Sequence, residues 1–277
     1  CKTLLASQPK VSVLVHDHRL ENNILDPNQQ QQIQSPITIA IDIISSKRPG
    51  VASALNTGLD YCKSEFVARM DADDVSTPKR LLSQLRFMRI NPSINVVGAS
   101  AVTFVAEESE HKTDCPLLPY YAASESIHQC RVIRTSLSVL DPGFMSWAML
   151  FTCAIAHPTV MLRKSAILEI GGYDTSIRSS EDYDLWLRLL EKDCHSMLCL
   201  PFVGVWHRKH NQSNSIKNSV NQKREANYAS HLAIKQILSS TGINDDDSVL
   251  DIEHVSTLKD PDTATSLESI NSAARLL

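Results

Sequence analysis

The sequence predicts an α/β protein with a mostly parallel central sheet flanked by helices, on three observations. Over the first hundred of its 277 residues, short apolar or β-branched runs alternate with stretches of helical period. The run from Phe66 to Met70 is mostly apolar without clean alternation, as in a strand covered on both faces. Asp71, Asp73 and Asp74 follow it directly, at the strand end where open α/β sheets bind ligands.

Val11 to Val15 reads as a short buried strand that turns polar at His16, Asp17, His18 and Arg19. The Gln-rich stretch 28–34 lacks a hydrophobic period and fits a loop as well as a solvated helix. Ile37 to Ile41, bounded by Pro36 and by the polar run that ends at Pro49-Gly50, predicts a second strand. Val51, Leu55 and Leu59 recur at i, i+4 and i+8 and predict an amphipathic helix over 51–62. After the aspartates, Ser76 or Thr77 as cap and Pro78 in the first turn start a helix with Leu81, Leu82, Leu85 and Met88 on one face. Pro92 ends it, and Ile94 to Val97 predicts another strand.

Residues 107–140 are polar and weakly patterned. Phe144 to Ala156 is mostly apolar but too short to cross a bilayer. His157 to Leu162 then reads as a strand, and Lys164 to Ile170 as a short helix closed by Gly171-Gly172. A helix opens near Glu181, with Leu185, Trp186, Leu189 and Leu190 on its buried side. A strand over 198–206 and a weakly amphipathic helix over 217–238 complete the pattern. Beyond Gly242 the chain is acidic and poor in large apolar residues, as flexible segments are.

Lys and Arg number 27 against 31 Asp and Glu, and the net charge of −4 offers no basic footprint for nucleic acid. Seven cysteines lie scattered without disulfide-framework spacing, and no secretory apolar stretch opens the sequence, so a reducing, cytoplasmic setting is expected. Cys194, His195 and Cys199 have no second pair at finger-like spacing.

The chemistry concentrates in three places. Asp71, Asp73 and Asp74 are hard oxygen donors suited to Mg²⁺ or Mn²⁺ bridging a phosphorylated substrate, and equally readable as an acidic turn in which Asp74 caps the next helix. Glu181 and Asp182 open a helix, where acidic residues complement the macrodipole; the same position lowers a carboxylate's pKa and keeps it in the ionised form a base needs. Arg208 and His210 offer a guanidinium and an imidazole for phosphate or metal, or form part of a solvated loop. His157, ahead of Pro158, reads as a packed, hydrogen-bonded histidine.

Taken together, these segments resemble the family 2 glycosyltransferases, whose catalytic domain is the nucleotide-binding GT-A fold. The matching pieces are 50–58, with Asn56; Ala68-Arg69-Met70-Asp71-Ala72-Asp73-Asp74; Pro78-Lys79-Arg80-Leu81 with Gln84; and Ala156-His157-Pro158-Thr159-Val160-Met161. Gly171-Gly172-Tyr173-Asp174, Glu181-Asp182-Tyr183-Asp184-Leu185-Trp186 and Arg208-Lys209-His210 follow in the family's order and spacing.

The resemblance implies a Rossmann-like catalytic domain over 1–242, lacking the family's opening strand and helix, and a flexible tail over 243–277. Asp71 and Asp73 would hold a divalent ion, Mn²⁺ or Mg²⁺, and the diphosphate of a nucleotide sugar such as a UDP- or GDP-sugar. His210 would contact metal or diphosphate, and Asp17, Asn56 and Arg208 would bind the nucleotide sugar. Asp182 matches the catalytic base, with Glu181 beside it shaping the acceptor pocket. The implied activity is inverting transfer to a hydroxyl of a glycan, a lipid-linked acceptor or another molecule, with peripheral membrane association compatible with it. The alternative is a catalytically impaired or truncated sugar-nucleotide-binding relative. A nucleotidyltransferase also uses aspartates and Mg²⁺, but no glycine-rich phosphate loop lies near the first strand.

Overall fold

A computed structural model describes residues 11–16, 40–46, 48–106, 130–135, 139–209 and 219–240. Strand β1 (Val11–His16) pairs antiparallel with β2 (Ala40–Ser45) as a separate two-stranded sheet. Helix α1 (Val51–Tyr61) lies against this pair. Next come β3 (Phe66–Ala68), β4 (Val75–Ser76), α2 (Arg80–Ile90), β5 (Val96–Ala106) and β6 (Cys130–Thr135). Helix α3 (Pro142–Met149), a single 3₁₀ turn (His157–Thr159), β7 (Met161–Arg163) and α4 (Lys164–Glu169) follow. The described chain ends with α5 (Glu181–Lys192), β8 (Met197–Arg208) and α6 (Ser219–Ser240).

The α/β class holds, but the sheet is mixed rather than mostly parallel. The main sheet runs β3-β7-β5-β8-β4, with β6 also on β5. Among the described pairs only β5 with β8 is parallel; β3–β7, β5–β7, β5–β6 and β4–β8 are antiparallel. The reason lies in the connections. Helix α5 links β7 to β8 only after a reversal through α4 and the Gly171-Gly172 turn, and β4 is a two-residue return against the end of β8. Strand β5 is long enough to take β7 along its first two residues and β6 along its second half. The segment predicted as weakly patterned thus contains β6, and the strand expected from His157 begins only at Met161, because Pro158 sits in the 3₁₀ turn.

Both faces of this sheet are buried, and period-two alternation distributes the side chains between them. Val96, Leu162, Met197 and Cys199 face one apolar cluster together with Met145, Met149, Tyr183, Leu185, Trp186 and Leu189. Their immediate neighbours Val97, Met161, Leu198 and Leu200 face the other, against Met88 of α2. The predicted buried side of α5 is correct: Leu185 and Trp186 are fully enclosed, and Leu189 and Leu190 nearly so. This packing makes the sheet rigid and sets the site residues at its rim. The tail after 240 and its predicted flexibility lie outside the described residues.

Candidate active site at the rim of the sheet

Strand β3 stops at Ala68 because the chain turns out of the sheet into the aspartates, where the Asp74 N–H donates to the Asp71 carbonyl at 3.3 Å. In an extended exit, residues two apart share a side. Arg69 accordingly reaches Asp71 with both guanidinium nitrogens, at 2.8 and 2.6 Å, the arginine well covered and the aspartate 40% exposed. Such bidentate pairs are the geometrically specific form of the ion pair.

The other two aspartates face β8. Asp74 is buried, and one carboxylate oxygen accepts the Arg208 backbone N–H at 2.9 Å. Its Oδ2 has no hydrogen-bond partner among the described residues. Burial pushes the Asp74 carboxyl up to about 6, against the Arg208 N–H and the His207 charge; Asp71 and Asp73 push in the same direction as burial. Asp73 is exposed, and its carbonyl accepts the Arg208 Nε at 3.1 Å, while the guanidinium lies 5.2 Å from the Phe104 ring centroid. The fold therefore brings Arg208 to the acidic turn, as the sequence expectation grouped them. His210 and Asp17 lie outside the described residues.

The acidic turn stands on a buried strut built by Arg80 and Gln84, the inward-facing residues of an otherwise exposed or partly buried start of α2. Arg80, 1% exposed, donates through Nη2 to the carbonyls of Arg69 (2.6 Å) and Val160 (3.2 Å), and through Nε to Gln84 Oε1 (3.2 Å). Gln84, fully buried, donates to the carbonyls of Val97 and Thr159, both at 2.8 Å. Burial lowers the Arg80 pKa to about 10, still far above neutrality. Gly204 lets β8 approach β5 closely, since a Cβ there would meet the Ala99 Cβ at 2.6 Å, while the Arg80 chain would lie at ordinary contact distance, 3.5 Å.

Glu181 and Asp182 open α5. Asp182 is half-buried, and its own carboxylate accepts the Tyr183 N–H at 2.8 Å. The helix-start expectation of a lowered pKa is overturned: desolvation raises it, outweighing the Tyr183 N–H, the Arg69 charge and its own backbone N–H, and Asp71 adds to the rise. Arg69 and Asp71 thus lie within electrostatic reach of Asp182. Glu181 is buried beside it. Tyr173, whose phenol burial pushes up, also feels Arg69, Asp182 and Glu181.

A clamp behind the site holds Tyr173. Asn56 Nδ2 donates to the Tyr173 carbonyl at 2.7 Å, and its Oδ1 accepts the Tyr173 N–H at 2.8 Å. Arg188 donates to the carbonyls of Ile170 and Gly172, both at 2.8 Å, while bonding Asp184 through Nε at 2.9 Å. Gly172 sits at φ +71°, and a Cβ there would lie 2.7 Å from Asn56 Oδ1, so only glycine passes. The Tyr173 hydroxyl meets His157 Nε2 at 2.8 Å. His157 is the packed histidine its sequence context suggests, held well below its usual pKa first by burial and then by Arg69. The amide of Asn56, grouped with the nucleotide-sugar contacts on resemblance, is turned to the Tyr173 backbone.

Arg69 and Tyr173 are the site residues to which sequence reasoning gave no role. Arg69 was findable from its place two residues before Asp71 on an extended strand; Tyr173 depends on contacts with Asn56 and His157, distant along the chain.

The donor set suits a hard divalent cation in part. Asp73 and Asp74 present carboxylate oxygens, including the unpartnered Asp74 Oδ2, whereas both oxygens of Asp71 are held by Arg69. Among the described residues no three His, Cys, Asp or Glu side chains converge as a metal cage. No helix among the described residues is long and apolar enough to cross a membrane.

Residues 23–149 match the family model described as glycosyl transferase family 2. The chain is 29% identical over 182 residues to the amylovoran biosynthesis glycosyltransferase AmsE of Erwinia amylovora, an alignment spanning 66% of this chain and 57% of that protein. It is also 29% identical over 193 residues to the bifunctional glycosyltransferase pgtA of Dictyostelium discoideum, over 65% of this chain and 25% of that one. The chain thus spans from a quarter to somewhat over half the length of these relatives. Among solved structures, S. aureus TarS 1–349 in complex with UDP-GlcNAc aligns over 84% of this chain and 61% of that one, at 14% identity and a TM-score of 0.43. Through residues 23–149 the chain is similar to glycosyl transferase family 2.

Proposed function

We propose that this chain is a glycosyltransferase that moves a sugar from a nucleoside-diphosphate donor to an acceptor hydroxyl with inversion at the anomeric carbon. The observation that supports it best is the acidic turn at the sheet rim, where Arg69 grips Asp71 and Arg208, from the far end of β8, reaches the Asp73 carbonyl and, through its backbone N–H, Asp74. The family-model match over residues 23–149 and the similarity to glycosyltransferases support the same reading.

In this reading Asp182 takes the proton of the acceptor hydroxyl as its oxygen attacks the anomeric carbon. The bond from that carbon to the diphosphate oxygen breaks, and its electron pair leaves with the nucleoside diphosphate. Partial burial makes Asp182 a stronger base than an exposed aspartate, and Arg69 favours its ionised form. Glu181 helps shape the acceptor side. Asp71 and Arg208 bind the nucleotide sugar, with Arg69 and the Arg208 guanidinium adding positive charge beside the diphosphate. Asp73, with Asp71, Asp74 and His210, would hold Mn²⁺ or Mg²⁺. When bound, such an ion offsets negative charge on the diphosphate. Asn56 acts as a positioning residue through its clamp on Tyr173. Asp17 remains a nucleotide contact on resemblance alone.

A donor screen tests this. UDP-, GDP- and dTDP-sugars are incubated with the chain, with Mn²⁺ or with EDTA, and free diphosphate is followed. Release from one donor class, dependent on metal and lost in Asp73→Ala, is the expected outcome. Binding of a nucleotide sugar without release from any donor would favour the catalytically impaired relative. Equal donor affinity with and without metal, by calorimetry, would remove the ion from the reading.

A further inference from the structure

A cleft of about 420 Å³ lies on α6, lined by Asn221, Arg224, Glu225 and Tyr228. None of these residues enters the chemistry above, yet the cleft is fastened to it. The Glu225 carboxylate accepts the Ser179 N–H at 2.8 Å, and Ser180 donates its hydroxyl to the Gln222 carbonyl at 3.0 Å. Ser179 and Ser180 immediately precede Glu181 and Asp182, so the wall of the cleft and the start of α5 form one connected unit. On its other side α6 is anchored by Ser230, which bonds the Leu150 carbonyl, and by Ile234 in the interior. A segment so fixed keeps its register with Asp182.

The lining has the chemistry of a carbohydrate subsite. Tyr228 is 56% exposed although its helix neighbours Asn227 and Ser230 are buried. An aromatic ring offers a flat apolar face that matches the C–H face of a pyranose, and its hydroxyl stays available to water or ligand. Asn221 and Arg224, both exposed, supply amide and guanidinium donors for ring hydroxyls. Glu225 is already engaged by the Ser179 N–H.

We infer that the α6 cleft is an acceptor subsite that holds a pyranose ring of the acceptor glycan on Tyr228, with Arg224 and Asn221 bonding its hydroxyls, and so sets which hydroxyl reaches Asp182. This deepens, and rests on, the glycosyltransferase reading. It also distinguishes the two substrates: the donor is held by the acidic turn and Arg208, the acceptor by α6.

Saturation-transfer NMR with methyl β-D-glucopyranoside, methyl β-D-galactopyranoside and methyl N-acetyl-β-D-glucosaminide tests the subsite directly on the full chain, without any reaction. At least one probe is expected to receive saturation at its ring protons. Tyr228→Ala should weaken that probe about ten-fold, the loss of one aromatic contact, with Tyr228→Phe retaining most of the binding. Arg224→Ala should weaken it less. Circular dichroism of each variant establishes that α6 is intact. Absence of signal from all three probes, or equal affinity in Tyr228→Ala and the unaltered chain, would overturn the subsite. Donor breakdown by the unaltered chain is measured in parallel. Its absence alongside Tyr228-dependent probe binding would sink the transferase reading and leave the subsite standing, whereas donor breakdown with Tyr228-independent probe binding does the reverse.

Discussion

The acidic turn after β3 and the first turn of α5 both cluster carboxylates at the sheet rim, yet they carry them in opposite environments. In the acidic turn, the two oxygens of Asp71 are met by a bidentate guanidinium in a half-exposed position. At α5, Asp182 meets only backbone N–H groups and the more remote field of Arg69, and desolvation dominates. Asp74 stands apart from both, belonging to the acidic turn by sequence but buried more deeply than the half-buried Asp182, with one oxygen unpartnered among the described residues. The comparison shows that the supply of nearby positive charge and the loss of water, rather than residue type, set these aspartates apart, in line with the separate roles proposed for them.

The largest effect that sharpens this contrast is expected for Asp182→Asn. Loss of a positioned base lowers turnover roughly 10²–10⁴-fold while donor binding stays unchanged, read as kcat against donor Kd. Turnover within a few-fold of the parent would assign the base elsewhere. The next effect is structural. Arg80→Met leaves the carbonyls of Arg69 and Val160 and the Gln84 oxygen without their buried donor, and should lower unfolding stability by about 3 kcal/mol in urea titrations. A change below ~1 kcal/mol would show that the strut does not hold the acidic turn.

Asp74 supplies a pH signature. Its carboxyl is raised from 3.8 in the unfolded chain to about 6, so the folded state holds the proton more tightly. Stability from this group therefore falls as pH rises from about 4 to about 6, and stays reduced above that. Asp74→Asn keeps an oxygen for the Arg208 N–H and cannot ionise. Its stability relative to the parent should improve by about 2 kcal/mol between pH 4 and pH 7, measured by urea unfolding in EDTA. A pH-independent difference would mean that Asp74 titrates alike in both states. The smallest effect belongs to Asp71→Asn, which breaks a half-exposed ion pair and should cost less than ~1 kcal/mol of stability. A larger loss would erase the distinction between the paired and the buried carboxylates.

Much of this architecture was legible locally. The i, i+4 spacing of α1 and the buried side of α5 reflect helical periods that nearest neighbours along the chain encode. The mostly apolar run into Asp71, by contrast, expected to be a strand covered on both faces, is the three-residue β3 at the end of the described ladder, its residues only partly buried or exposed. The positions of Gly171-Gly172, Asp71–Asp74 and Glu181-Asp182 along that framework were equally readable, and so was the family they resemble.

The direction of the strand ladders, the burial of Asp74 and the rise rather than fall of the Asp182 pKa were not readable in the same way. Each depends on which distant segment is laid alongside: β8 against β5, Arg208 against Asp74, α6 against the loop before α5. Sequence alone determined the periodic elements and the stock of carboxylates and guanidinium groups at the strand ends. Only the tertiary structure decided which carboxylates keep water and a cation and which lose both, because solvation and charge pairing are set by neighbours in space.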